Sequence, residues 1–107
     1  MERGERDTPL YMIGVVAQML SIHPQTLRLY EREGLVRPTR SQGKTRFYSA
    51  RDVERVKFII HLTRDMGVNL AGVEIIFRMR EQMEEMQKEM DGLIAYIKEE
   101  LKKEMRR

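Results

Sequence analysis

The chain has 107 residues, with 20 Lys plus Arg against 17 Asp plus Glu, a formal net charge of +3, no Cys and two His. This length suits one small domain with a thin core, and the lack of Cys excludes a disulfide scaffold, a thiolate metal site and a thiol nucleophile. No apolar run approaches the ~20 residues that span a bilayer, and the polar opening MERGERDTPL lacks the apolar stretch of a signal peptide, so the expected compartment is the cytoplasm.

In chain order, residues 1–10 read as a disordered lead that includes Pro9. Ile13, Val16, Ala17 and Leu20 recur at helical spacing and predict a short first helix. Ser21-Ile22-His23 is a tight connection. Pro24 suits the first position of a second helix, where its missing N–H costs nothing, and this makes His23 the N-cap. Leu27 and Tyr30 continue that helix, and Gly34 suits the left-handed position that ends it. Two short helices joined by so few residues form a helix-turn-helix pattern.

Pro38 stops any helix in the next stretch, Gly43 marks a turn, and Thr45, Phe47 and Tyr48 favour strand. A small β-hairpin is expected there, with basic residues at its tip and on its return strand. Alternation along that strand points to Phe47 as the ring in the core. Ser49 and Asp52 have the spacing of a capping box, and Val53, Val56, Ile60 and Thr63 carry a third helix ended by Met66-Gly67. Asn69 caps a fourth helix with Leu70, Val73, Ile76 and Phe77.

The tail is the most periodic segment. Met79, Met83, Met86, Met90, Leu93, Ile97 and Leu101 step by four and three, the seam of a coiled coil, with a stutter near Ile94 and Ile97. Gly92 is a weak point in this helix. From Met79 to Met105 such a helix runs ~40 Å. One apolar stripe of that length exceeds what a small head can cover, so a second copy of the chain is expected on it. A soft, adaptable Met surface for another partner is the other reading of the stripe.

Charge divides along the same line. Ser21–Lys57 holds nine basic and four acidic residues, net +5, whereas Glu81–Arg107 holds six basic and eight acidic, net −2. Such asymmetry is a footprint of nucleic-acid binding, although a solvated mixed-charge surface gives the same count. Gln25, Thr26 and Arg28 open the second helix, where a helix-turn-helix reads base edges, with Arg suited to guanine and Gln to adenine. The hydroxyls of Thr26 and Tyr30 suit phosphate oxygens, and a core ring is the plainer role for Tyr30. Lys44 and Arg46 lie on the hairpin, and these two, Arg37 as a further cation of the stretch, and His23 join the candidate DNA-binding residues. Asn69 and the free N–H groups at its helix start offer a phosphate site. His23 is weighed as a cap rather than a base reader, and His61 as a rim residue rather than a ligand, since no His or Cys stands at ligand spacing. There is no Gly-rich phosphate loop and no Ser-His-Asp set, so neither an enzyme nor a cofactor is implied.

IGVVAQML, SIHPQTLRLYEREGLVRPTR, GKTRFYS and RDVERV, in that order and spacing, resemble the MerR-type regulators over residues 11–101. The resemblance implies a fold that is all-α with a small β-hairpin wing. A winged helix-turn-helix head over 11–78 is followed by a coiled-coil dimerisation helix over 79–107, antiparallel in the family. HPQTLR at His23–Arg28 and GVNLAGV at Gly67–Val73 are similar to the heat-shock repressor branch, HspR. Members of that branch repress chaperone genes on inverted repeats of double-stranded DNA, with the chaperone DnaK as co-repressor.

On this resemblance Gln25, Thr26, Arg28 and Tyr30 lie on the recognition helix, Lys44, Arg46 and Tyr48 on the first wing, and Asn69 and Leu70 at the second wing's helix. Dimerisation falls to Met79, Met83, Met86, Met90, Leu93, Ile94, Ile97 and Leu101. Metal-sensing relatives use Cys, which this chain lacks, and drug-sensing relatives carry a large C-terminal domain, whereas six residues follow Leu101. Both differences favour the HspR branch or a glutamine-metabolism-type regulator, with a homodimeric repressor at the nucleoid as the expected function. A MerR-type activator and a coiled-coil chaperone adaptor are the alternatives. The wing reads Gly43-Lys44-Thr45-Arg46 where the family suggests a Gly pair before the Arg.

Overall fold

The computed structural model describes residues 5–107. It contains strand β1 (Pro9–Met12), helix α1 (Ile13–Met19), helix α2 (Pro24–Arg32), strands β2 (Thr39–Arg40) and β3 (Arg46–Ser49), helix α3 (Ala50–Ile60) and helix α4 (Leu70–Met105). The chain divides into two compact units, residues 1–73 and 74–107.

The first unit adds order to a lead that sequence alone marks as disordered. Residues 1–4 of that lead lie outside the described residues. Glu5–Asp7 form a 3₁₀ turn, and Pro9–Met12 form β1, which pairs antiparallel with β3 (Pro9 with Ser49, Tyr11 with Tyr48, Met12 with Phe47) across a bulge. The strand forms because β3 offers an open edge, and Pro9 sits at its first residue, where a missing donor is tolerated. Asp7 also accepts from Arg51 Nε of α3 at 2.6 Å. The sheet therefore has three strands in the order β1-β3-β2, with β3 central, rather than the two of a simple hairpin.

Two helix ends are made in the same way. At α2, Leu35 N–H donates to the Tyr30 carbonyl at 2.9 Å and Gly34 N–H to the Glu31 carbonyl at 3.0 Å, with Gly34 at φ +75°. Gly takes this left-handed end without the strain that a Cβ brings. At α1 the pattern repeats through Ile22 to Ala17 (3.0 Å) and Ser21 to Gln18 (3.3 Å), with Ser21 at φ +55°. The turn between the two helices is thus closed by the backbone itself.

The core of the first unit contains Val16, Leu27, Val36, Tyr48, Val56, Ile59 and Val73, all fully buried. The capping box forms as the sequence predicts, Asp52 N–H donating to Ser49 Oγ at 3.0 Å and Ser49 N–H to Asp52 Oδ2 at 2.9 Å. Along α3 the buried residues are Val53, Val56 and Ile59, with Leu62 following in a π-helical turn over His61–Asp65. Ile60 and Thr63, expected in that stripe, are only partly buried. The stripe advances in steps of three, and the wider turn shifts the phase. Thr63 turns its hydroxyl back to the Ile60 carbonyl at 3.2 Å.

The second unit consists of helix. α4 runs unbroken from Leu70 to Met105, so no break separates a fourth helix from the tail at residue 78, and Gly92 is carried within it. Pairs one turn apart brace its surface: Arg78 with Glu74 at 2.8 Å and Gln87 with Asp91 at 2.9 Å. Among the described residues, no helix is long and apolar enough to cross a membrane.

Candidate nucleic-acid interface

α2 has two unlike faces. Leu27 and Tyr30 are buried, while Gln25 and Arg32 are exposed and Arg28 is half-buried. Gln25, Arg28 and Arg32 follow one another at spacings of three and four, so they share the outward stripe. The helix starts at Pro24, and His23 Nδ1 accepts from Gln25 N–H at 3.0 Å. His23 thus serves as the cap, and its Nδ1 is occupied by the helix start. Thr26 is half-buried beside it, its N–H donating to the His23 carbonyl at 2.9 Å.

One sequence-predicted contact is narrowed and one is corrected. Tyr30 is buried, so its ring belongs to the core, the plainer reading of that side chain. Tyr48 is 0% exposed, and its hydroxyl, also buried, has no hydrogen-bond partner. A side chain so placed cannot meet DNA on the wing. The choice of Phe47 for the core is reversed with it: Phe47 is half-buried and Tyr48 lies inside. A strand alternates between faces but does not announce which face is the core, and the packing of α1 and α3 on β3 decides it. Burial, aided by the Glu31 and Asp52 carboxylates and opposed by Arg46 and Arg28, pushes the Tyr48 hydroxyl up to about 12.

The wing is tied to α2 by one carboxylate. Glu31 Oε1 accepts from Arg40 Nη2 at 2.7 Å, and Glu31 Oε2 accepts from Arg46 Nε. Arg40 and Arg46 are direct cross-strand partners in the β2–β3 pair. Burial raises the Glu31 carboxyl, but hydrogen bonds and charge from Arg46 and Arg40 outweigh it and hold the group below its ordinary 4.5. Sequence reasoning placed Arg46 on DNA and passed over Glu31 and Arg40 as contacts. The available signal was an acid standing inside the basic stretch at the end of α2.

The wing tip is a tight loop. Ser41 N–H donates to the Thr45 carbonyl and Lys44 N–H to the Ser41 carbonyl, both at 2.9 Å, and Thr45 N–H donates to Ser41 Oγ at 3.2 Å. Lys44 is exposed with φ +65°, the conformation that a second Gly would take without strain. Arg37 is exposed in the preceding loop, which Arg55 Nε of α3 fixes by donating to the Leu35 carbonyl. Among the described residues, no hydrogen bond or ion pair holds the side chains of Gln25, Arg28, Arg37 or Lys44.

At the start of α4, Asn69 Oδ1 accepts from Gly72 N–H at 2.8 Å, and Leu70 is half-buried. The cap needs Gly72, because a Cβ there would stand 2.7 Å from Val68 Cγ1 and 3.3 Å from Asn69 Oδ1. The Asn69 side chain is thus engaged within its own helix. On the second unit, Met79, Met83, Met86, Met90, Leu93, Ile94, Ile97 and Leu101 are all exposed.

Against known proteins, the profile of the MerR HTH family regulatory proteins matches residues 11–80. The provisionally named heat shock protein HspR of Streptomyces coelicolor is 47% identical over 91 residues, 85% of this chain. The chain spans 60% of that relative's length. The HTH-type transcriptional regulator GlnR of Bacillus cereus is 34% identical over 106 residues, covering 99% of this chain and 81% of its own. Among solved structures, a lead(II)-bound transcription regulator of Ralstonia metallidurans superposes with a TM-score of 0.62 at 28% identity, over 88% of this chain and 77% of that one. A MerR family regulator that lacks the sensor domain, solved on promoter DNA, superposes with a TM-score of 0.58 at 20% identity, over 85% and 77%, a likeness of fold.

Proposed function

The chain belongs to the MerR family, whose members are DNA-binding transcriptional regulators and not enzymes, and from that premise we propose that it is a homodimeric repressor acting on an inverted-repeat operator. The observation that carries this reading is the pairing of an outward α2 stripe, Gln25-Arg28-Arg32, with an uncovered apolar seam on α4. The seam buries itself against a second copy, and two-fold symmetry makes the DNA site an inverted repeat. Arg28 and Gln25 read base edges, while Thr26, Arg37, Lys44 and the start of α4 at Asn69 and Leu70 face phosphates.

Charge favours an antiparallel seam. Glu81–Glu89 holds four Glu and one Lys, whereas Lys98–Arg107 holds five bases and three acids. Antiparallel helices lay the acidic stretch beside the basic one, and parallel helices set like against like. Heat-shock genes as targets are supported by the likeness to the Streptomyces heat-shock relative, while DnaK as co-repressor and a place at the nucleoid rest on the HspR-like sequence motifs alone. A glutamine-type regulator is the second reading, favoured by an alignment that covers 99% of this chain. Family membership sets the adaptor reading aside.

The test is selection of bound duplexes from a random pool by the purified protein. An inverted repeat shared by the selected sequences is expected, with binding that falls steeply as salt rises. Selection of no motif, or of a single half-site, overturns the dimeric operator reading.

A further inference from the structure

We propose that Glu31 is a positioning residue that withholds Arg40 and Arg46 from DNA phosphates and uses them to lock the wing against α2. The proposal rests on the DNA-binding reading of the head and deepens it.

Arg40 and Arg46 face each other directly across β2 and β3, and like charges so placed repel. A wing of this sequence therefore needs an anion between the two strands. Glu31, from the last turn of α2, provides it with one oxygen to each guanidinium. The Glu31 side chain is 17% exposed and Arg46 25%, so this pair is largely shielded from salt, while Arg40 at 46% is its wetter partner. The carboxyl's depressed pKa agrees with full ionisation at neutral pH.

The consequence is an exchange of affinity for discrimination. A guanidinium that already faces a carboxylate releases no counterion when DNA arrives, so it adds nothing to the salt dependence of binding. What it does add is a fixed angle between the wing and the helix that reads bases. Removing Glu31 frees two cations for any phosphate and loosens that angle, so binding to unrelated DNA tightens and selectivity declines.

The experiment measures the slope of log K against log salt for the operator duplex chosen in the selection above and for a scrambled duplex of equal length. Every substitution is present in both heads of the dimer. Glu31→Gln should steepen the scrambled-duplex slope by about 2 to 4, at ~0.9 per freed cation, and lower the operator-to-scrambled ratio several-fold. Arg40→Gln should leave the slope unchanged while lowering the same ratio. In the Arg40→Gln background, Glu31→Gln should steepen the slope by only ~1.8. An unchanged slope in folded Glu31→Gln overturns the proposal. So does a slope flattened by ~1.8 in Arg40→Gln alone, since that marks Arg40 as a phosphate contact. The second arm stands even if Glu31→Gln does not fold. If the wild-type protein shows no salt-dependent DNA binding, it is the DNA-binding reading itself that fails.

Discussion

In the first unit Val16, Leu27, Val56 and Ile59 are sealed from solvent, whereas in the second the apolar stripe from Met79 to Leu101, the proposed seam, is 43–67% exposed. The helices of both units carry apolar residues at helical spacing. What separates them is the presence of something to pack on. Around α2 and α3 the chain folds back through tight turns and a three-stranded sheet, so each stripe finds another. Beyond Glu74 it continues as a single helix, whose stripe has no second element of its own unit to meet. Periodicity gives the direction of a face, and topology decides whether that face is covered within the chain.

The largest expected effect comes from the seam. Ile97→Glu removes an apolar side chain from each of two copies, ~3–6 kcal/mol of dimerisation at ~1.5–3 kcal/mol per buried side chain. Sedimentation equilibrium should show a monomer, while the circular dichroism of the head persists. A variant that dimerises like wild type would place the contact elsewhere.

Arg28→Ala should act on the other unit alone. It is expected to weaken operator binding by about 1–3 kcal/mol with the dimer intact, as read by titration of a labelled duplex. Equal affinity in the variant would remove Arg28 from the reading helix.

Tyr48→Phe sharpens the view of the head as a sealed core. Deleting a buried hydroxyl that has no partner should raise stability by about 1 kcal/mol and leave DNA affinity as it was. Because the folded hydroxyl titrates near 12, above its ordinary 10.0, its protonation favours the fold below pH 10.0, and that contribution is lost as pH rises toward 12. The Phe variant should lack this alkaline loss in denaturant titrations across that range. A drop in DNA affinity would return Tyr48 to the wing surface.

The smallest effect is on the acid side. The Glu31 carboxyl is held below its ordinary 4.5, so its pairing with Arg40 and Arg46 stabilises the head fully above that pH and is lost as pH falls through the lower, folded value. Thermal midpoints taken from pH 5 downward should fall more for wild type than for Glu31→Gln. Parallel curves would mean that the ion pair contributes nothing to the fold.

Much of the head was legible in the sequence because its signals are local. Pro24 after His23, Gly34 after α2 and Ser49 before Asp52 each specify a terminus within a few residues, and each forms as predicted. What escaped depends on contacts between distant residues. Order in the lead requires β3, some forty residues away, as the pairing of Pro9 with Ser49 shows. The choice between Phe47 and Tyr48 requires knowing which face of that sheet meets the helices. Arg46 read as a free cation because its partner, Glu31, lies on another element. For the candidate site, residue type and spacing pointed to Gln25 and Arg28 of the outward α2 stripe, but not to Arg32, nor to which of the nearby cations are already engaged.

Lys44, left-handed at the wing tip, has a consequence for how such a chain can vary. At φ +65° Gly fits freely and Asn or Asp tolerably, whereas Val, Ile or Thr would force the loop open. Drift at this position is therefore confined to a few residue types, and among them a lysine gives up ~1 kcal/mol of backbone ease relative to Gly. A descendant selected only for thermal robustness would converge on Gly here and lose a cation from the wing in the same step. Retention of lysine would record selection on what the tip touches.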